Sequence, residues 1–201
     1  MADQQLQTIL NSGGISSMYI GGTASTDKVQ KKSDVDLVAA RVTAIEASHA
    51  VLLSASSTAL SQEPTVVDVP KQIEFGALQT TTDIDLSVLG AVTFKTAGKY
   101  ILSFSFQYGR VGATGTSILL NRYLINGVEV GNSLAAKIDN ANILVPWSSS
   151  VQITVNVNDV LTTEIMRDSA GNNSGGIFAV TPTVGTWNIA PCASLQIYKA
   201  I

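Results

Sequence analysis

Two glycine-rich stretches approach motifs that place a nucleophile or a phosphate group. GNSLA at 131–135 is close to the G-x-S-x-G nucleophile elbow, but Ala135 stands at the last glycine position. GRVGATGTS at 109–117 is similar to a phosphate-binding loop, but it has no lysine before its Thr-Ser pair. The only candidate base, His49, lies in a different segment, and neither stretch has the required helix after it. We interpret both as hairpin turns and expect no catalytic residues and no enzymatic activity.

Residues suited to metal binding are also few. Cys192 and His49 are the only residues of their types, so one chain has neither an intrachain disulfide nor a Cys/His zinc cluster. DSAGNNSGG at 168–176 carries oxygen ligands, but it lacks the Asp/Asn spacing and closing glutamate of a calcium loop. Asp83 and Asp85 alternate with apolar residues, as solvent-facing strand positions do. We expect no metal and no cofactor.

Composition bears on the class of partner. The 201 residues carry a net charge of −3, from 12 basic and 15 acidic side chains, with no lysine or arginine block. We therefore expect no nucleic-acid partner. No apolar run approaches the roughly 18 residues that span a bilayer, so we expect no membrane partner. The start, MADQQLQTIL, lacks the features of a signal peptide, and we expect folding in a cytoplasm.

Residues 1–32 are predicted to form a flexible N-terminal arm. Two Gly-Gly pairs flank a small apolar cluster, Ile15, Met18, Tyr19 and Ile20. Glycine keeps such a backbone adaptable and opposes packing on itself. Two interpretations remain open: a disordered terminus, or an anchoring segment that becomes ordered on a partner protein.

Residues 33–60 show the seven-residue apolar spacing of a coiled coil. The predicted seam is Val35, Val38, Val42, Ile45, His49 and Leu52. Because β-branched residues hold both core positions near its start, the pattern favours three strands over two. The alternative is a single amphipathic helix packed on the following domain. On a trimer axis, His49 would either bind an ion or set the register.

Residues 61–70, with Pro64 and Pro70, are predicted to be a linker to a head at 71–201. Eleven of the twelve aromatic residues follow position 70. KYILSFSFQY and VQITVNV alternate with period two, and Asn126-Gly127 is a strong hairpin signal. We predict an all-β sandwich or jelly roll. Its predicted core comprises Tyr100, Leu102, Phe104, Phe106, Val151, Ile153 and Val155.

The order of these segments resembles the globular head of the tumour-necrosis-factor/complement family. In VTFKTAGKYILSFSFQY, Gly98 and Tyr100 match a Gly-x-Tyr that opens the family's second strand. INGVEV, SVQITVNV, NDVLTTEI and ASLQIYKAI follow in the family's order. Asn158 replaces the glycine of a Gly-Asp-x-Val turn, and asparagine also tolerates a left-handed backbone. Over residues 72–201 the resemblance implies a homotrimer of ten-stranded jelly rolls behind a stalk.

The front of the chain resembles a second class of protein. DKVQKKSDVDLVAARVTAIEAS at 27–48 is similar to the stalks of bacteriophage fibres and virion appendages. Together the two resemblances imply a virion protein. We expect a trimeric capsid decoration or head-fibre protein, bound to a capsid or other virion protein through its arm. The alternative is the receptor-binding tip of a short tail fibre, whose head contacts a host surface glycan.

Overall fold

The computed structural model describes residues 36–42, 51–110, 115–171 and 174–200. The chain divides into two compact units, Met1–Ser48 and His49–Ile201. In the first unit the described residues, 36–42, form a helix, α1. No helix among the described residues is long and apolar enough to cross a membrane. The second unit is a β-sandwich and contains every described strand.

Two of the predicted seam residues lie on α1. Val38 and Val42 are both largely exposed on this helix, and so is their neighbour Leu37. Val35, Ile45 and His49 fall outside the described residues, as does the whole predicted arm with Ile15, Met18, Tyr19 and Ile20. The coiled-coil stalk therefore stays a prediction.

The sandwich contains thirteen strands within the described ranges. They are β1 (Val51–Ser57), β2 (Ser61–Gln62), β3 (Lys71–Gln72), β4 (Gln79–Thr80), β5 (Ile84–Leu86), β6 (Val92–Phe94), β7 (Gly98–Gly109), β8 (Ser117–Ile125), β9 (Val128–Ile138), β10 (Leu144–Val155), β11 (Val160–Arg167), β12 (Gly176–Phe178) and β13 (Ala193–Lys199). Every pairing among them is antiparallel. The fold is therefore mainly β.

Strand β7 is the centre of the first sheet. It pairs with β10 along its full length, and on its other side with β13 and then with β12. β1 extends the sheet beyond β13, and β2 extends it beyond β12. The second sheet runs β4-β5-β6-β11-β8-β9, with β3 on β11. The two sheets face each other across one hydrophobic core.

The predicted core face of β7 lies between the sheets. Tyr100, Leu102, Phe104 and Phe106 are at most 2% exposed. On β10, Ile153 and Val155 are buried, but Val151 is only half-buried because β10 is an edge strand among the described elements.

The predicted helix over 33–60 is wrong beyond residue 50. Residues 51–57 form β1, which pairs with β13 and turns Leu53, Ala55 and Ser57 toward the core. Leu52, predicted for the stalk seam, is a half-buried residue of this strand. VLLSASS fits both a heptad and a period-two pattern. Strand pairing provides partners for the backbone N–H and C=O groups of this segment and buries Leu53 and Ala55. The segment therefore forms a strand with period-two alternation.

The predicted linker and head boundary also need correction. Ser61 and Gln62 form β2 and pair with β12, so the sandwich begins well before residue 71. Gln62 is 3% exposed. Its side-chain nitrogen donates to the Glu74 carbonyl at 2.9 Å, and its oxygen accepts the Glu74 backbone N–H at 2.8 Å. This buried amide ties the supposed linker into the sandwich.

The hairpin predicted at Asn126-Gly127 joins β8 to β9. Both residues have positive φ, 51° and 78°, as a two-residue type I′ turn requires. Asn126 also accepts the Val160 N–H at 2.9 Å and donates to Asp159 at 2.8 Å. A backbone hydrogen bond from Asn156, together with the Asn126 amide, lowers the pKa of Asp159. Asn158 has φ 69°, the left-handed conformation expected where it replaces a glycine.

The packing of Phe104 generates a stability prediction. Its ring stacks on Tyr123, with ring centres 4.4 Å apart, and lies 6.1 Å from Phe75, again between ring centres. Phe104→Ala should lower the free energy of unfolding by about 3–5 kcal/mol, because it removes a buried ring and leaves a cavity. Lys99→Ala, on the exposed face of the same strand, is the control and should change it by less than about 0.5 kcal/mol. Urea unfolding checks both variants, and a loss below about 1 kcal/mol for Phe104→Ala would show that Phe104 is not a core residue.

Candidate self-association surfaces and exposed finger

The outward face of the first sheet carries a regular array of small polar side chains, which we call the serine face. Paired positions form two rows across β1, β13, β7 and β10. The rows are Ser54–Gln196–Ser103–Ser150 and Ser56–Ser194–Ser105–Ser148. Seven of the eight side chains are serines, and none is charged. The serine face is therefore uncharged, and its four strands span roughly 14 Å.

The serine face follows from the same alternation that builds the core. In β7, each serine stands between two residues that point into the sandwich. Ser103 Oγ lies 2.8 Å from Ser150 Oγ on the neighbouring strand, the one hydrogen bond between side chains that we see within the array. Serine hydroxyls that are accessible to water lose little when another surface covers them, provided that they find new partners.

The second surface is an open edge of the sandwich, formed by β9 and β10. Among the described strands, β9 pairs only with β8, and β10 pairs only with β7. The inward side chains at this edge are incompletely covered. Val130 and Leu134 of β9 and Trp147 and Val151 of β10 are half-buried, and Val145 is 39% exposed. The open edge therefore presents apolar side chains and unpaired strand backbone together, a combination that favours association.

An aromatic stack supports the open edge from inside. The Trp147 indole lies nearly parallel to Phe106, with ring centres 5.9 Å apart. Tyr123 OH is 3.1 Å from Ser149 Oγ, so a hydrogen bond connects the two sheets there. Burial raises the pKa of Tyr123 and, more strongly, that of Tyr108. Tyrosine is neutral at physiological pH even without such a shift, so neither phenol adds charge to the open edge.

A third feature is an exposed finger, residues 179–192, between β12 and β13. Val180 and Ala190 form an isolated bridge at its base. All residues from Thr183 to Ile189 are exposed, and the Trp187 side chain reaches 74% exposure. Such exposure is unusual for tryptophan in an ordered segment.

A shallow hollow of about 110 Å³ lies on the second sheet and is lined by both apolar and charged side chains. Arg122 is its cation, and its Nε donates to Glu164 at 2.8 Å. Glu129 lies 3.7 Å from the same guanidinium. Two carboxylates thus neutralise Arg122, so the hollow offers an anionic ligand little attraction.

The structure separates the residues that suggested chemistry. The interpretation of GNSLA as a hairpin turn is wrong, because residues 131–135 lie within strand β9 and the turn before it is at Asn126-Gly127. Ser133 Oγ donates to Glu129 at 2.6 Å. GRVGATGTS falls partly outside the described residues. Cys192 is buried, and its thiol donates to the Ser57 carbonyl at 3.4 Å. Within the described residues, no group of three or more His, Cys, Asp or Glu side chains is placed to hold a metal ion.

Sequence reasoning missed the serine face and the finger. Alternating serines in VLLSASS, LSFSF and WSSSV are the signal for the serine face. Its recognition requires the strand register, because only pairing brings the serines into rows. A tryptophan between Pro182 and Pro191 in an uncharged segment is the signal for the finger.

Comparison with known proteins gives similar folds at low identity. Eiger TNF from S. frugiperda is 12% identical, with a TM-score of 0.46 over 76% of this chain and 94% of that one. The globular domain of zebrafish complement 1qA protein is 16% identical, with a TM-score of 0.41 over 74% and 95%. No family model and no curated protein matches. Because neither TM-score reaches 0.5, these two structures do not bear on the function of this chain.

Proposed function

We propose that the chain is a non-enzymatic structural and binding protein that assembles as a homotrimer. The observation that carries the proposal is that one sandwich has two complementary surfaces. The open edge exposes apolar side chains that belong to the inward faces of β9 and β10, and the serine face is uncharged and made mostly of small side chains. The edge of one copy packs on the serine face of the next, which covers the half-exposed Trp147 and Val151.

A contact between unlike surfaces leads to a ring. Two serine faces packed on each other would bury hydroxyls with little apolar area, and two open edges would leave both serine faces uncovered. An edge-to-face contact uses both surfaces in every copy, and such a heterologous contact closes into a ring when the rotation permits. The resemblance of residues 72–201 to trimeric heads supports three copies.

The edge is long enough to carry such a contact. β10 has twelve residues, which at about 3.4 Å each extend roughly 40 Å. Stable interfaces bury roughly 800 Å² per partner, so a contact along the whole of β10 would have to extend about 20 Å across it to reach that area. The apolar side chains of the edge stabilise the contact by roughly 25 cal/mol for each Å² that they bury.

The oligomeric state tests this assembly. Light scattering of the full chain should give about three times the 21.0 kDa chain mass. Ser105→Lys should shift the chain to monomers without loss of the far-UV strand signal, because it buries an unpaired charge in the contact. The matched control is Thr93→Lys on the second sheet, opposite Asp85. Its mass should equal that of the unaltered protein.

Two outcomes would contradict the assembly. A monomeric or dimeric mass for the unaltered chain at micromolar concentration would exclude the trimer. An unchanged trimeric mass for Ser105→Lys would show that the contact does not use the serine face.

We propose further that the trimer is a virion decoration or head-fibre protein, assembled in a host cytoplasm and anchored by residues 1–32. The resemblance of residues 27–48 to virion stalks and the apolar cluster Ile15, Met18, Tyr19 and Ile20 support this role. Three arms on one trimer would engage a particle together, which raises the apparent affinity when geometry permits.

Truncation tests the anchor. A chain that begins at Ser33 should still form a trimer but should lose binding to particles that lack the native protein. A full-length Trp187→Ala variant is the control and should still bind, because the finger is not the anchor. Binding by the truncated chain, together with loss of binding by Trp187→Ala, would show that the head and not the arm attaches the protein to the particle.

The exposed finger favours a second candidate, the receptor-binding tip of a short tail fibre. Val51, where the chain enters the sandwich, pairs with Tyr198 near the end of β13. The finger adjoins the opposite end of β13, at Ala193. The finger therefore joins the sandwich at the end of β13 farther from Val51, which suits a receptor contact remote from the point where the chain enters the sandwich.

A further inference from the structure

The finger is firmly attached although it is exposed. At its base, the Val180 N–H donates to the Ala190 carbonyl at 3.0 Å, and the Ala190 N–H donates back at 2.9 Å. The Trp187 N–H donates to the Val184 carbonyl at 3.1 Å, which closes a turn at the tip. Gln107 Nε2 donates to the Pro191 carbonyl at 2.7 Å. These bonds, with two prolines that restrict the backbone, hold the backbone that carries Trp187 in a defined conformation before any partner arrives.

The finger's composition is unusual in two respects. Residues 179–192, AVTPTVGTWNIAPC, include no charged side chain. Within this range Trp187 is 74% exposed and Val184 is 57% exposed, and the polar residues Thr183, Thr186 and Asn188 of the same stretch are exposed as well. An exposed aromatic platform with neutral donors and acceptors on either side is suited to a ligand that is itself neutral and amphipathic.

We propose that the finger binds a neutral carbohydrate. The indole of Trp187 stacks on the C–H face of a pyranose ring, and Thr186 and Asn188 exchange hydrogen bonds with the hydroxyls at the rim of the sugar. A pyranose has both an apolar face and a polar rim, so one sugar satisfies both kinds of side chain. The prepositioned tip reduces the entropy that is lost on binding.

The same residues oppose a membrane as the partner. Insertion of Trp187 and Val184 into lipid would carry the threonine hydroxyls and the Asn188 amide into a medium without hydrogen-bond partners. Attraction to an anionic surface requires lysine or arginine, and the finger has neither. A protein surface remains as a contrary outcome of the test below.

This inference deepens the second candidate function, in which the head contacts a receptor, and it names the class of ligand. A single sugar on one exposed finger binds weakly. A trimer would present three fingers, and a polysaccharide that reaches two of them would bind more tightly than a single sugar. The binding site itself is complete within one chain.

The experiment is a titration of the full chain, followed by tryptophan fluorescence. The probes are neutral tetrasaccharides of glucose, galactose, mannose and N-acetylglucosamine. We expect a saturable change in emission with at least one probe. Trp187→Ala should weaken binding of that probe at least tenfold, and Asn188→Ala should weaken it severalfold. Trp187→Tyr keeps an aromatic platform and should retain binding within about tenfold. Isothermal titration follows the variants that lack Trp187.

Leu89→Ala is the matched control, because it removes a similarly exposed apolar side chain between β5 and β6, outside the finger and the proposed trimer contact, and should leave sugar binding unchanged. Absence of binding to all four probes would overturn the inference. Sugar binding by Trp187→Ala that equals binding by the unaltered chain would overturn it too. The same holds for binding to phosphatidylcholine vesicles but not to sugar, and for an emission change that depends on protein concentration and not on sugar concentration. Light scattering on the same samples separates the trimer proposal from the sugar-binding inference. If the mass is that of a trimer but no sugar binds, only the sugar-binding inference is rejected.

Discussion

The strict two-residue alternation of β7 is the constraint on which the rest of the structure depends. Its inward residues, including Phe104 and Phe106, are buried among aromatic rings from both sheets. Its outward residues, including Ser103 and Ser105, form the centre of the serine face. A slip of one residue in the pairing would exchange these two sets and expose the aromatic side chains. The hydrophobic core therefore fixes the register, and the register fixes the serine face.

The same alternation explains how one sandwich carries both the serine face and the open edge. β10 pairs with β7 along its whole length, so Trp147 stacks on Phe106 while Ser148 joins the row of Ser105. The missing neighbour of β10, among the described strands, leaves Trp147 and Val151 half-covered. Core, serine face and open edge are thus consequences of one strand and its partners. The finger is different, because hydrogen bonds between its own residues and two prolines define most of its backbone, and Gln107 of β7 adds one bond at its base.

Much of the sandwich can be predicted from sequence. The alternation of KYILSFSFQY indicates which β7 residues are buried, and Asn126-Gly127 places a tight turn where β8 meets β9, because both signals are local. Predictions that depend on distant partners are less accurate. Leu52 fits a heptad seam as well as a strand, and only pairing with β13 decides between them. Gln62 looks like a linker residue until its hydrogen bonds to Glu74 are seen. The half-burial of Val151 depends on which strand forms the sheet edge, and no local pattern encodes that.

The central claim is that the open edge of one copy contacts the serine face of the next. Chemical cross-linking measures this contact most directly, with one cysteine at Asn132 of β9 and one at Ser105 of β7. The native Cys192 is buried, so a short bismaleimide reacts mainly with the two introduced thiols. The account predicts covalent trimers from the Asn132→Cys, Ser105→Cys double variant and single chains from either variant alone. Covalent dimers from Ser105→Cys alone, or single chains from the double variant, would contradict it.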